Sequence, residues 1–140
     1  MKQAILTSLG TVGGFIAYLL GGWDASVITL LIFILIDYIT GLIVAGVFHK
    51  SKKSKTGNLE SRAGWKGLCK KFVTLLFVIV ANRLDLMIGG GSIVRDGVCI
   101  SFIINEMLSI VENAGLIGIP IPKAVTNAIA VLNKDKESKE

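Results

Sequence analysis

The run from 25 to 48, ASVITLLIFILIDYITGLIVAGVF, carries a single charge, Asp37, in a stretch apolar and long enough to cross a bilayer with some tilt. A chain of 140 residues has a core too small to hide several such runs, and 52% of this one is hydrophobic, with a mean hydropathy of +0.69. The sequence therefore reads as one domain at most: an all-α integral membrane protein with three to four transmembrane helices arranged as hairpins, then a short C-terminal amphipathic helix.

The other segments follow from the same reasoning. Residues 4–22, AILTSLGTVGGFIAYLLGG, contain no charge and are about the minimum length for a crossing. Gly10 and Gly14 form a small-xxx-small pair, and Gly13, Ala17 and Gly21 form another, a spacing that lets a second backbone approach closely. A signal peptide and a helix lying flat in the interface are the alternatives for this segment; no clean cleavage motif precedes Trp23 and Asp24. The third span, 68–88, has a short apolar centre from Phe72 to Ala81, followed by Asn82, Arg83 and Asp85. Arg83 is expected to snorkel toward headgroups and to pair with Asp85. GGGS at 89–92 is a turn, 93–117 is the fourth segment, and IPIP at 119–122 ends it. From Lys123, Val125, Ile129 and Leu132 recur at helical spacing, so 123–140 reads as an amphipathic helix with a charged tail.

Charge sets the orientation. Lys50, Lys52, Lys53, Lys55, Arg62, Lys66, Lys70 and Lys71 face only Glu60, a local +7 in a chain whose net charge is +5, so the remainder sums to −2. Nucleic acid is a poor partner for this block, which is flanked by apolar runs and contains one aromatic residue, Trp65. The positive-inside rule places the basic loop, 49–67, in the cytoplasm, with the Trp23-Asp24 and GGGS turns outside. Four crossings put both termini in the cytoplasm; three, with the first segment in the interface, leave the C-terminus on the same side. Trp65 and His49 are interfacial residues in this reading. Cys69 and Cys99 fall near opposite faces and cannot readily pair. No spacing of cysteine or histidine suggests a metal, and no cofactor is implied.

The stretch INEMLSIVENAG, 104–115, places carboxylates in an apolar segment. On a helical wheel Asn105, Glu106, Ser109, Glu112 and Asn113 fall within roughly 120° of one another, and Ser101 extends the stripe to a rise on the order of 18 Å. Ile103, Met107, Ile110, Val111 and Ala114 cover the opposite face. Ionised carboxylates facing lipid cost several kcal/mol, so the stripe should face protein or water. A four-helix subunit offers little interior for it, which favours a shared lumen or the polar face of a neighbouring subunit. The intrachain alternative neutralises Glu106 and Glu112 or pairs them with Arg83, Arg95 or Lys123. Asp37 raises the same question. Gly41 and Ala45 follow it at small-xxx-small spacing, so its face is expected to pack against a helix. A hydrogen bond to Asn82, Asn105 or a backbone group is one reading of Asp37, and an ion or proton site is the other. Nothing assembles a catalytic set from a single histidine.

DYITGLIVA (37–45), the basic loop, GWKGLCKKF (64–72) and NEMLSIVENAGLIGIPIP (105–122) together resemble the toxin-secretion and phage-lysis holin family of Gram-positive bacteria and their phages, over about residues 24–133. The resemblance implies a non-enzymatic, multi-pass protein of the host cytoplasmic membrane that self-associates at a set time into a lesion. Through it a cytoplasmic endolysin, or in some relatives a large toxin, leaves the cell. It also implies that Asp37, Thr40, Gly41, Asn105, Glu106, Ser109, Glu112, Asn113, Gly118, Pro120 and Pro122 are structural or assembly determinants. A small ion or proton channel, a transporter subunit and a non-lytic adaptor are the competing readings of the residues.

Overall fold

The computed structural model describes residues 1–139, and among these it contains five α-helices and no strand. They are α1 (Lys2–Leu20), α2 (Ala25–Gly46), α3 (Ser61–Ile88), α4 (Ile93–Leu116) and α5 (Lys123–Lys139). Local chemistry sets the breaks. Gly21 takes the left-handed conformation that ends α1, and the next amide, Gly22 N–H, donates to Ala17 O at 2.7 Å. Asp24 caps α2, its Oδ1 accepting from the Val27 N–H at 3.1 Å. Gly89, at φ 68°, closes α3, and Pro120 and Pro122 separate α4 from α5.

By length and apolar composition, α1 and α2 are the two described helices suited to crossing a membrane. The sequence predicts three to four spans; α3 and α4, interrupted by charged residues, do not match α1 and α2 on this measure. The basic segment also differs from the expected loop. Helix α3 begins at Ser61 and not at 68, so Arg62, Trp65 and Lys66 are helical and the connection shortens to 47–60. Hydropathy marks where a helix becomes apolar, whereas Ala63, Leu68 and the lysines are good helix formers on either side of that boundary.

The most extensive pairing is between α2 and α4, with α3 packed along α4 and touching α2. The starts of α2 and α4 meet through Asp24 and Arg95, and their later turns meet through Asp37 and Asn113, so the two helices run parallel. Helix α3 runs the other way: Lys71 in its first half joins the Asp37 end, and Asp85 near its close reaches the start of α4. Leu20, Val27, Leu30, Val78, Cys99 and Ile103 form the core. The Phe77 and Phe102 rings pack beside it, tilted, with centroids 6.4 Å apart. Cys69 is exposed and Cys99 buried, both as free thiols.

Burial is inverted relative to a water-soluble bundle. Asp37, Asn82, Asp85, Arg95, Glu106 and Asn113 are buried, while Leu6, Phe15, Leu35, Phe72 and Met87 are exposed. Charged residues are almost never fully buried unless paired, so the polar interior requires a specific partner for each of these groups.

Candidate functional site

The first polar cluster lies at the basic-loop end of the bundle and joins three helices. Lys71 Nζ on α3 is 2.6 Å from Asp37 Oδ2 on α2 and 2.6 Å from Glu106 Oε2 on α4. The Lys71, Asp37 and Glu106 side chains are only 11%, 4% and 8% exposed, so one ammonium bridges two carboxylates away from bulk solvent. Asn113 completes the cluster: its Nδ2 donates to Asp37 Oδ1 at 3.1 Å and to Thr40 Oγ1 at 2.9 Å. Gly41 lies beside this cluster, where a Cβ would make an ordinary contact with Asn113 Nδ2 at 3.8 Å, and Ala45 is buried one turn on.

The α4 stripe is thus divided. Glu106 and Asn113 are buried within the chain, Ser101 and Ser109 are half-buried, and Asn105 and Glu112 are exposed. Loop lysines cover part of it: Lys53 Nζ is 3.4 Å from Ser109 Oγ and 4.0 Å from Asp37 Oδ2, and Lys52 Nζ is 3.1 Å from Glu112 Oε1. The pairing expected from sequence, with Arg83, Arg95 or Lys123, is replaced by Lys71 for Glu106 and Lys52 for Glu112. Asp37 likewise meets Lys71 and Asn113, not Asn82 or Asn105. Between this face and α3 lies a cavity of about 520 Å³.

The second cluster lies at the opposite end and is built on Arg95, which the sequence offers only as a partner for glutamates. Its Nη1 donates to Gly21 O at 2.7 Å, and its Nη2 donates to the Asp24 carboxylate and to Asp96 Oδ1 at 2.8 Å. Asn82 Nδ2 donates to Leu19 O at 3.0 Å. The two side chains therefore satisfy terminal carbonyls of α1 that have no intrahelical partner. Burial pushes the Asp24 carboxyl upward, but the Val27 N–H and the Arg95 guanidinium outweigh it and hold the group below its ordinary range.

Asp85 does not pair with Arg83, which is exposed. Its carboxylate accepts from the Val94 and Arg95 N–H groups at 3.0 and 2.8 Å. It serves the start of α4 as a remote cap, while Ser92, at the N-cap position, turns its hydroxyl to Asp96 instead. An Asp shortly before a glycine turn and a new helix is the available sequence signal. In α1, by contrast, Gly10 and Gly14 have open space around them and no partner from the described residues.

Apolar outer faces, two helices fit to cross a bilayer, and polar groups paired inside the bundle define a small α-helical membrane protein. The chain belongs to the Bacteriophage holin family, whose model matches residues 14–134. This is not a family of enzymes. Among similar proteins, a probable holin of Bacillus phage phi105 is 34% identical over 110 residues, covering 79% of this chain and 76% of the relative. An uncharacterized protein encoded in the nagH 3′ region of Clostridium perfringens is 36% identical over 132 residues, 94% of this chain and 92% of its own length. An uncharacterized Listeria monocytogenes protein is 35% identical over 129 residues, 91% of this chain and 86% of its own length. No solved structure matches.

Proposed function

We propose that this protein acts as a holin of the host cytoplasmic membrane. It crosses the bilayer several times with the basic loop and both termini in the cytoplasm. It then self-associates into a timed lesion that releases an endolysin or a large toxin. The observation that carries this reading is the Asp37–Lys71–Glu106 bridge, with Asn113 beside it, inside an otherwise apolar bundle.

A lesion-forming subunit must remain compact in lipid and later offer polar groups to water. The bridge supports both requirements. It neutralises one of two carboxylate charges and hydrogen-bonds the groups, which keeps α2, α3 and α4 together. Buried ion pairs roughly break even against their desolvation cost, so rehydrating the partners at a lumen carries a small net cost. Asn105, Ser109 and Glu112 extend the same face outward, where a second subunit can meet it.

The test is induction in a bacterium that also holds a cytoplasmic muralytic enzyme and a soluble reporter, with membrane potential and reporter release followed together. Abrupt depolarisation with escape of enzyme and reporter is the expected result. Ion flux without protein release would favour a channel or transporter, and neither event would leave an adaptor.

A further inference from the structure

We propose that the cavity between α3 and α4 is a binding site for the phosphate of an anionic glycerophospholipid. The inference rests on the reading that the basic-loop end of the bundle meets the cytoplasmic leaflet.

At about 520 Å³ the cavity far exceeds what one water requires, roughly 10–15 Å³. Its walls carry both signs of charge, and their distribution selects the ligand. The three carboxylates in the lining are each engaged already: Asp37 and Glu106 by Lys71, and Glu112 by Lys52. Lys66 and Lys70, also in the lining, have no carboxylate partner among the described residues. They stand one turn apart on the same face of α3, where like charges repel unless an anion lies between them. The Thr74 hydroxyl donates to the Lys70 carbonyl and Ser109 accepts from Lys53, so Lys66 and Lys70 are the anion-binding groups.

The apolar surface beside these lysines separates a lipid from a free anion. Val73 and Phe77, three and seven residues beyond Lys70, continue the same face of α3 and are exposed, and Leu108 in the lining is exposed on α4. A soluble phosphate has no use for that strip. A phospholipid with its phosphate at Lys66 and Lys70 lays an acyl chain along it.

The test uses full-length protein reconstituted in phosphatidylcholine, with phosphatidylglycerol added and lipid retention read by native mass spectrometry. Selective retention of phosphatidylglycerol is expected, reduced about tenfold in Lys66→Gln/Lys70→Gln. Lys50→Gln/Lys55→Gln removes the same charge from loop positions outside the cavity lining and should retain the lipid as the wild type does. Equal loss in both double variants, or no preference between the lipids, overturns the site. Displacement by millimolar inorganic phosphate or glycerol phosphate assigns it to a soluble anion and also overturns it. Carbonate washing of membranes is run alongside. Protein that stays embedded without lipid preference refutes the site alone, whereas protein stripped from the membrane refutes the spanning reading beneath it.

Discussion

Lys71 Nζ and Glu106 Oε2 stand 2.6 Å apart between α3 and α4, and the same ammonium reaches Asp37 on α2. Removing one member of such a group is worse than removing all of it, because the remaining charges stay buried without a partner. Lys71→Met should therefore destabilise the bundle by about 3–5 kcal/mol. Adding Asp37→Asn and Glu106→Gln to Lys71→Met should restore at least half of that loss. Thermal unfolding in detergent measures both. If the triple variant is no more stable than the single one, the lysine contributes through packing and not through charge.

At the other end of the bundle, Gly21 combines two constraints. Its φ of 85° disfavours any side chain, and a Cβ there would lie 2.5 Å from Asn82 Oδ1 and 2.7 Å from Arg95 Nη1. Those two side chains hold the carbonyl end of α1, so a methyl group displaces the groups that anchor the helix. Gly21→Ala is expected to cost about 2 kcal/mol or more, of which roughly 1–2 is backbone strain. Gly22 has φ 111° with open space around it, so Gly22→Ala reports strain without the clash. Limited proteolysis at the 21–24 turn should accelerate more in Gly21→Ala than in Gly22→Ala.

Much of the helix arrangement is legible in the sequence because apolar runs, glycines and prolines act locally. The limits of α1, α2 and α4 fall within about two residues of the sequence reading, which is the usual ambiguity of helix ends. The start of α3 is not legible in the same way, because Arg62 and Lys66 look like loop residues to a hydropathy scale, although a helix can continue past the membrane boundary. Asp37, Glu106 and Asn113 stand out as residues that a membrane interior would penalise, but their partners do not. Lys71 reads as part of the topology signal of the loop, and only the parallel packing of α2 with α4, with α3 reversed alongside, brings it between two carboxylates. Arg95 is hidden for a similar reason. Beside the Asp24 and Asp96 carboxylates, its partners are the backbone carbonyls of Leu20 and Gly21, which have no signature in the sequence.

The pH dependence of the outer turn follows from Asp24. Its folded pKa lies below the ordinary aspartate value of 3.8, so its contribution is fully present above that value and is lost as pH falls through the lower folded pKa. Asp24→Asn should therefore lower the melting temperature at about pH 6, and this difference should shrink progressively as pH is taken below the ordinary aspartate value. The side chain is 45% exposed, so solvent screening keeps the effect modest. Trp23 is adjacent and exposed, which makes its fluorescence a local probe of the turn. A deficit in Asp24→Asn that persists unchanged into acid would mean that the cap acts through shape and not through charge.

The small-residue stripe of α1 separates folding from assembly. A Cβ added at Gly10 or Gly14 would meet nothing within 4 Å, and α1 is attached to the rest of the chain chiefly at its carboxyl end. Larger side chains there meet no intrachain neighbour, so Gly10→Ile/Gly14→Ile should change monomer stability by no more than about 0.5 kcal/mol. In a bilayer, lipid tails are as apolar as leucine, and close backbone approach at small residues is what favours helix association. The double variant is therefore expected to insert normally, to yield less cross-linked oligomer and to delay or abolish lysis. Normal cross-linking and timing at matched expression would assign α1 to lipid and leave assembly to the α4 face.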